Sequence, residues 1–412
     1  MRRLKTAVLS DFLNDLPLGA FITYAYWYAY QQTHNQGIVS MLGTIAMVAL
    51  LLAIFGGYIS DKHSKIKLMR FLILMRFIFI ALGTLFLVFK PEMSVAVVCF
   101  VVIASSVINI IYNPLTEAFA PALIDDDKEL IKANSWVSLA NNIATIVSSG
   151  VATIFVTINQ PLISLIILLV SVMISYILLG FIKPDSAPAH AGKIKVKEIL
   201  DNFIDGIKLV GHNKLIMLMI PIALIVNFCF YVIWLLMPKF AITVFNQYWF
   251  VYNGIDIAYT VGGIIGALIF SKIRDNIDSA IVCPACLSLQ AVCLAVVGIS
   301  SLLTRSLVSA IICIVCWLAY GIFNSIFSIV YFSVVQMSSS KDNTGLMIGA
   351  VMTIFSIINP IATAMSDPLG NMVKLPLLIF ILGLIMVLVS VLTFMPIYQR
   401  IFKKYDLSLI HI

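Results

Sequence analysis

The chain has 412 residues, of which 61% are hydrophobic and only 11% charged, with a mean hydropathy of +1.07. A water-soluble domain cannot hide so much apolar side chain, because its surface demands more polar residues, and a transmembrane barrel would show short alternating segments instead. The formal net charge of +7 is accounted for by bases on cytoplasmic loops and implies no nucleic-acid partner.

Apolar runs of membrane-spanning length recur twelve times, over 6–30, 37–60, 67–89, 94–121, 130–157, 161–182, 213–244, 249–271, 279–303, 306–336, 343–365 and 375–399. Met1-Arg2-Arg3-Leu4-Lys5 leads straight into the first run with no small-residue cleavage site, so no cleavable signal is expected. Bases at positions 2, 3 and 5 and around 62–70, 128–132, 193–214, 272–274, 341 and 400–404 fall on one side. The other side holds little beyond Lys90, Arg305 and Lys374, which places both termini and the central loop in the cytoplasm. The predicted fold class is an all-α membrane protein with twelve transmembrane helices. Its expected location is the cell membrane.

In span 1, Asp11 and Asp15 stand four apart and share one helix face. Charges inside a bilayer are expensive, so each needs a reason. Arg76, about two turns into span 3, would neutralise Asp15, and the pair reads equally as a fixed lock or a moving part. Between spans 2 and 3 runs Gly56-Gly57-Tyr58-Ile59-Ser60-Asp61-Lys62-His63-Ser64-Lys65-Ile66-Lys67-Leu68, a tight polar turn. Its glycines allow close helix approach, its acid can face a helix N-terminus, and its bases sit at headgroup level. Glu117, beside Asn113 and Pro114, lies near the inner end of span 4.

The linker divides the chain into 1–183, a cytoplasmic segment 184–212, and 213–412. Within it, Ile199, Leu200, Phe203, Ile204 and Ile207 share one face after Lys193, Lys195 and Lys197, so an amphipathic helix on the inner membrane surface is predicted. Roughly half a chain after the first loop, Gly262-Gly263-Ile264-Ile265-Gly266 precedes Ser271-Lys272-Ile273-Arg274-Asp275, a second copy with Ser271 in place of the acid. Asp256 lies well inside span 8 with no base in that span; Lys239, at the outer end of span 7, is within possible reach. Asp367 precedes Pro368 and reads as an outer-loop turn residue. All seven cysteines fall in apolar runs without histidine nearby, so neither a metal site nor a disulfide is assigned, and no cofactor is expected.

The loop spacing Gly57-x-x-x-Asp61-Lys62-x-x-Lys65 resembles the signature of the major facilitator superfamily, with Lys62, Ser64 and Ile66 departing from its usual Arg, Gly and base. Asp11-Phe12-Leu13-Asn14-Asp15, Arg76, Ala133-Asn134, Asp205 to Lys214, Met237-Pro238-Lys239 and Asn253-Gly254 resemble the branch of macrolide-efflux and siderophore-export permeases. Antiporters of the family carry Gly-Pro in span 5 where Ser148-Ser149 stand here. The resemblance implies two pseudo-symmetric six-helix bundles in the major facilitator fold. It also implies gating through Gly57, Asp61, Lys62, Lys65 and Arg76, and a cavity lined by spans 1, 4, 5, 7 and 10. The residues expected to bind substrate are Trp27, Asn109, Asn113, Asn142, Asn227, Tyr231, Trp234, Tyr259, Trp317, Tyr320 and Asn324. Rings with a few amides suit a bulky, mostly apolar solute; the same residues also serve as interfacial belt and packing glue.

The expected function is secondary active export of a hydrophobic or amphipathic molecule, drug-like or siderophore-like, by a monomer that rocks about a central site. Protons are the driver, with Asp256 as coupling residue and Asp15, Asp11 and Glu117 as the alternatives. Membrane lipids are the surrounding partner. Import or flipping of a lipid-like or nutrient solute is the alternative within transporters, and a non-transporting receptor or scaffold the alternative outside them. No nucleotide-binding loop, zincin motif or nucleophile elbow occurs in the sequence, so an enzyme is not expected.

Overall fold

The computed structural model describes residues 2–61, 63–123, 143–144, 147–182, 204, 207–248, 250–273, 278–337 and 344–404. All regular elements among them are helical. In chain order they are α1 (Arg2–Thr33), α2 (Gln36–Asp61), α3 (Lys65–Phe89), α4 (Ser94–Leu123), α5 (Val147–Ile158) and α6 (Pro161–Gly180), then α7 (Lys214–Val244), α8 (Val251–Ile273), α9 (Ser279–Leu303), α10 (Leu307–Met337), α11 (Thr344–Ser356), α12 (Asn359–Met372), α13 (Leu375–Val391) and α14 (Pro396–Lys404). Nine helical stretches are long and apolar enough to cross a membrane, α11 and α12 counting together as one. With α1, α2 and α5 they fall on the twelve runs read from the sequence, the fifth run being described at 143–144 and from 147 onward.

Local chemistry sets the helix ends. Ser64, Asn213 and Asp278 cap α3, α7 and α9 by accepting from backbone N–H groups of the first turn. Pro161, Pro360 and Pro376 stand at the starts of α6, α12 and α13, where a missing N–H costs nothing. His34 and Asn159, both at φ 51°, turn the chain between α1 and α2 and between α5 and α6.

The burial pattern is that of a protein solvated by lipid. Leu82, Leu85 and Val88 of α3 are more than half exposed, while Arg76 of the same helix is 1% exposed. Large apolar side chains point outward and charge points inward.

The chain divides into two compact units, Met1–Ile199 and Leu200–Ile412. In the first, α1 packs on α6, α2 on α4, and α3 on both α4 and α6. In the second, α7 packs on α13, α8 on α10, and α9 on both α10 and α13. These four pairings match one for one, which is what a duplicated six-helix half produces. The close approaches rest on small residues. In the first unit Ser10 Oγ donates to the Ser175 carbonyl (2.9 Å) and Ser175 Oγ to the Ser10 carbonyl (2.7 Å), zipping α1 to α6. In the second, Gly262 and Gly266 of α8 lie against the Leu318 and Ile322 carbonyls of α10, and Gly321 returns the contact against Tyr259. No side chain fits there.

Three expectations are corrected. Span 11 is broken into α11 and α12 at Ile357-Ile358, and Asp367 sits inside α12, not in an outer loop. The break is stabilised from α7, where Asn227 Nδ2 donates to the Phe355 carbonyl (3.1 Å) at the open end of α11. Span 12 ends at the turn Leu392–Phe394, because Pro396 starts a separate helix. That helix, α14, buries Tyr398 and Phe402 and leaves Ile397, Arg400 and Lys403 exposed. The predicted amphipathic linker helix lies outside the described residues except for 204 and 207–212, which are helical.

Candidate functional site

Each unit holds one concentration of functional side chains. In the first unit the centre is Arg76 of α3, 1% exposed. One guanidinium nitrogen donates to Asn14 Oδ1 (2.8 Å) and another to Asn109 Oδ1 (2.5 Å). Asn14 in turn donates through Nδ2 to Asp15 Oδ1 (2.6 Å). Arg76 also forms the expected ion pair with Asp15, but at 4.0 Å, so its close partners are neutral amides. Its guanidinium carbon stands 4.9 Å from the ring centre of Tyr112, whose hydroxyl donates to Asp11 Oδ1 (2.7 Å). The cation–π face and the carboxylates jointly offset the cost of burying the charge. Arg76 Nε has no hydrogen-bond partner among the described residues.

This arrangement explains a departure in the sequence. Asn14 occupies the place where the resembled branch has glycine, and here its amide is the relay between cation and carboxylate. Asn14 and Tyr112 were absent from the predicted site. Their signal was their spacing, Asn14 beside Asp15 and Tyr112 three residues after Asn109.

In the second unit the centre is a ring cluster from α7, α8 and α10. The Phe230 ring is near-parallel to those of Trp234 (5.9 Å between centroids, 21° between planes) and Tyr320 (5.4 Å, 13°). Tyr231, Tyr259 and Trp317 surround it at 5.3, 6.2 and 6.2 Å. Trp317 and Tyr320 form a buried floor, whereas Phe230, Tyr231, Trp234 and Tyr259 are half-buried. Asn324 Nδ2 donates to the Tyr259 hydroxyl (3.2 Å), one turn from the floor. Trp317 Nε1 has no acceptor among the described residues. Asp256, half-buried, stands three residues before Tyr259 on α8 and therefore on the same helix face. Sequence reasoning named six members of this cluster and missed Phe230, its middle, because a lone phenylalanine in an apolar run carries no signal of its own.

The family model of the Major Facilitator Superfamily matches residues 7–363. The chain belongs to that superfamily. No curated protein matches it in sequence. Solved structures share the fold at low identity. The nucleoside transporter NupG superposes with a TM-score of 0.72 at 12% identity, over 98% of this chain and 100% of that one. The peptide transporter POT gives 0.70 at 12%, covering 97% and 94%. A bacterial homologue of the iron transporter ferroportin, in an inward-facing state, gives 0.63 at 16%, covering 98% of each. The fold is the twelve-helix facilitator fold, and the protein is a multi-pass membrane transporter rather than an enzyme.

The remaining predicted residues of this facilitator chain are dispersed. Gly57 and Asp61 lie in the last turns of α2, where side chains are not described, and Lys62 lies outside the described residues. Lys65 is buried at the start of α3. In the second turn of α3, Arg70 Nε donates to the Leu179 carbonyl (2.9 Å), and its terminal nitrogen reaches the Leu179, Gly180 and Ile182 carbonyls. It thereby caps the C-terminal end of α6, where carbonyls lack helical partners. Lys239 donates to the Gly370 carbonyl (3.0 Å) and Asn371 Oδ1 (2.6 Å), tying α7 to α12. Trp27 packs on Tyr24 at 6.3 Å between centroids, Asn113 is exposed, Glu117 lies in α4 with its side chain undescribed, and Asn142 lies outside the described residues.

Proposed function

We propose that this transporter exports a hydrophobic or amphipathic small molecule in exchange for protons, with the ring cluster of the second unit as its solute-contact surface. The observation that supports this reading is the cluster itself: five rings lie within 6.2 Å of Phe230, with amide and hydroxyl tips at the edge. Such a surface pays well for ring-bearing or apolar solutes and poorly for strongly hydrated ones.

Asp256 is the coupling residue in this reading, because it shares the α8 face that carries Tyr259. Proton and solute then compete for one region, which is the requirement for exchange. Residues 1–183 and 213–412 act as the two moving bundles, the chain works as a monomer in the cell membrane, and both termini lie in the cytoplasm.

The test is transport in proteoliposomes with an imposed pH difference. Asp256→Asn is expected to abolish accumulation of solute against its gradient while leaving solute exchange across the membrane intact. Accumulation at the normal rate would remove Asp256 from coupling and leave Asp15, Asp11 or Glu117. Accumulation that ignores the pH difference in the unaltered protein would remove proton coupling altogether.

A further inference from the structure

The helix α14 (Pro396–Lys404) has two unlike faces. Tyr398 and Phe402, four apart, share one buried cluster with Val210, Leu215 and Ala280, around the starts of α7 and α9. Three hydrogen bonds fasten the helix there. Tyr398 Oη donates to the Leu218 carbonyl (3.3 Å), Gln399 Nε2 to the Ala280 carbonyl (2.6 Å), and Ser279 Oγ to the Phe402 carbonyl (3.4 Å). Ile397, Arg400 and Lys403, spaced by three, form the opposite, exposed face. Neither base has an ion-pair or hydrogen-bond partner among the described residues. Asp278, at the same end of α9, is engaged as its cap and accepts from the Ala280 N–H (2.8 Å).

The surface leading into α14 fixes the depth of that face. Leu388, Val391, Phe394 and Met395 are large, apolar and exposed, as lipid-facing side chains are, and Ile397 continues the run. Ile281 of α9 is likewise exposed, next in the chain to the Ala280 carbonyl that holds Gln399. One turn beyond Ile397 the exposed surface becomes basic, at Arg400 and Lys403. Such a change within a single turn marks the boundary between hydrocarbon and headgroups. We propose that the outer face of α14 is a site for an anionic phospholipid, with Arg400 and Lys403 on its headgroup and Ile397 against its acyl chains. The net negative charge of that headgroup supplies the partner that both bases lack within the protein. A zwitterionic lipid gains little from them. Because α14 is fastened to α7 and α9, a bound lipid also holds the adjoining ends of those two helices.

The test follows thermal unfolding of the purified full-length protein in neutral detergent micelles as dioleoyl phosphatidylglycerol is added. The unaltered protein is expected to be stabilised by this lipid, and not by dioleoyl phosphatidylcholine or by inorganic phosphate at the same concentration. Each base near an anionic surface strengthens binding about fivefold. Arg400→Gln/Lys403→Gln is therefore expected to need about 25-fold more phosphatidylglycerol for half of the shift. The charge-keeping Arg400→Lys/Lys403→Arg should respond as the unaltered protein does. So should Lys90→Gln/Lys374→Gln, which removes two exposed bases elsewhere. No stabilisation by phosphatidylglycerol, or an undiminished response in Arg400→Gln/Lys403→Gln, would overturn the site. An equal loss of response in Lys90→Gln/Lys374→Gln would overturn it too, by reducing the effect to overall charge. Equal stabilisation by phosphatidylcholine would overturn the role of the bases, and equal stabilisation by inorganic phosphate would overturn a lipid as the occupant.

Discussion

The first unit buries a polar knot around one guanidinium beside a group of rings, Phe21, Tyr24, Tyr28 and Phe155, whereas in the second unit five rings gather around Phe230 with no buried charge among them. Both sit in the same framework, since α1–α6, α2–α4, α3–α4 and α3–α6 have their counterparts in α7–α13, α8–α10, α9–α10 and α9–α13. The helix-pairing surfaces and the inward-facing contents are therefore separable. Small residues such as Ser10, Ser175, Gly262 and Gly321 hold the framework, and the side chains it encloses differ in kind. Arg76 holds three helices through directional bonds that each need a specific partner. Phe230 and its neighbours hold theirs through contact area, which tolerates rearrangement.

The contrast can be broken most sharply at Arg76. Replacing it by Ala takes the cation from Asp15 and the hydrogen-bond donor from Asn14 and Asn109. Breaking a buried, hydrogen-bonded charge in this way costs about 3–5 kcal/mol. Thermal unfolding in detergent should show a large loss of stability, and an unchanged transition would mean the knot holds nothing. A smaller effect is expected at the framework. Gly262→Ala drives a methyl into the Leu318 carbonyl of α10 and should cost about 1–3 kcal/mol, whereas Gly263→Ala meets open space and should be neutral or slightly stabilising. Equal melting temperatures for the two variants would show that α8 and α10 can separate freely.

The ring cluster is expected to answer differently, in function more than in stability. Trp234→Ala removes contacts to Phe230, Tyr259 and Trp317 at 5.9, 5.5 and 5.5 Å. Solute affinity should fall about tenfold, with a melting shift well below that of the Arg76 variant. A variant that loses stability as Arg76→Ala does, with solute binding intact, would make the rings a core like any other. The smallest effect is predicted for Ser175→Ala, which removes one direction of the α1–α6 zip. Hydrogen bonds between membrane helices average about 0.6 kcal/mol, and the melting temperature should move only slightly.

The candidate site was legible to unequal degrees. Asp11, Asp15 and Arg76 were conspicuous because a charge inside an apolar run has no neutral explanation. Their grouping was partly visible, since Asp15 and Arg76 were paired on charge alone. The amides that contact Arg76 most closely were not, because an asparagine in a helix announces polarity but not direction. Asn227 shows the same limit: singled out as a cavity residue, it donates to a backbone carbonyl where span 11 breaks. That break was invisible too, as Ile357-Ile358 is a continuation of the apolar run by composition.

By itself the sequence determined the solvent, the number of spans and the halving of the chain. These depend on hydrophobic length and on charge between the lengths, and both are additive along the chain. Only the tertiary structure decided which side chains meet. Whether Asn14 reaches Arg76, whether Phe230 meets Trp317 and Tyr320, and whether Gly262 meets a carbonyl depend on the rotation of each helix about its axis. That rotation is fixed by all of a helix's neighbours at once, and a run that is apolar on every face records almost none of it.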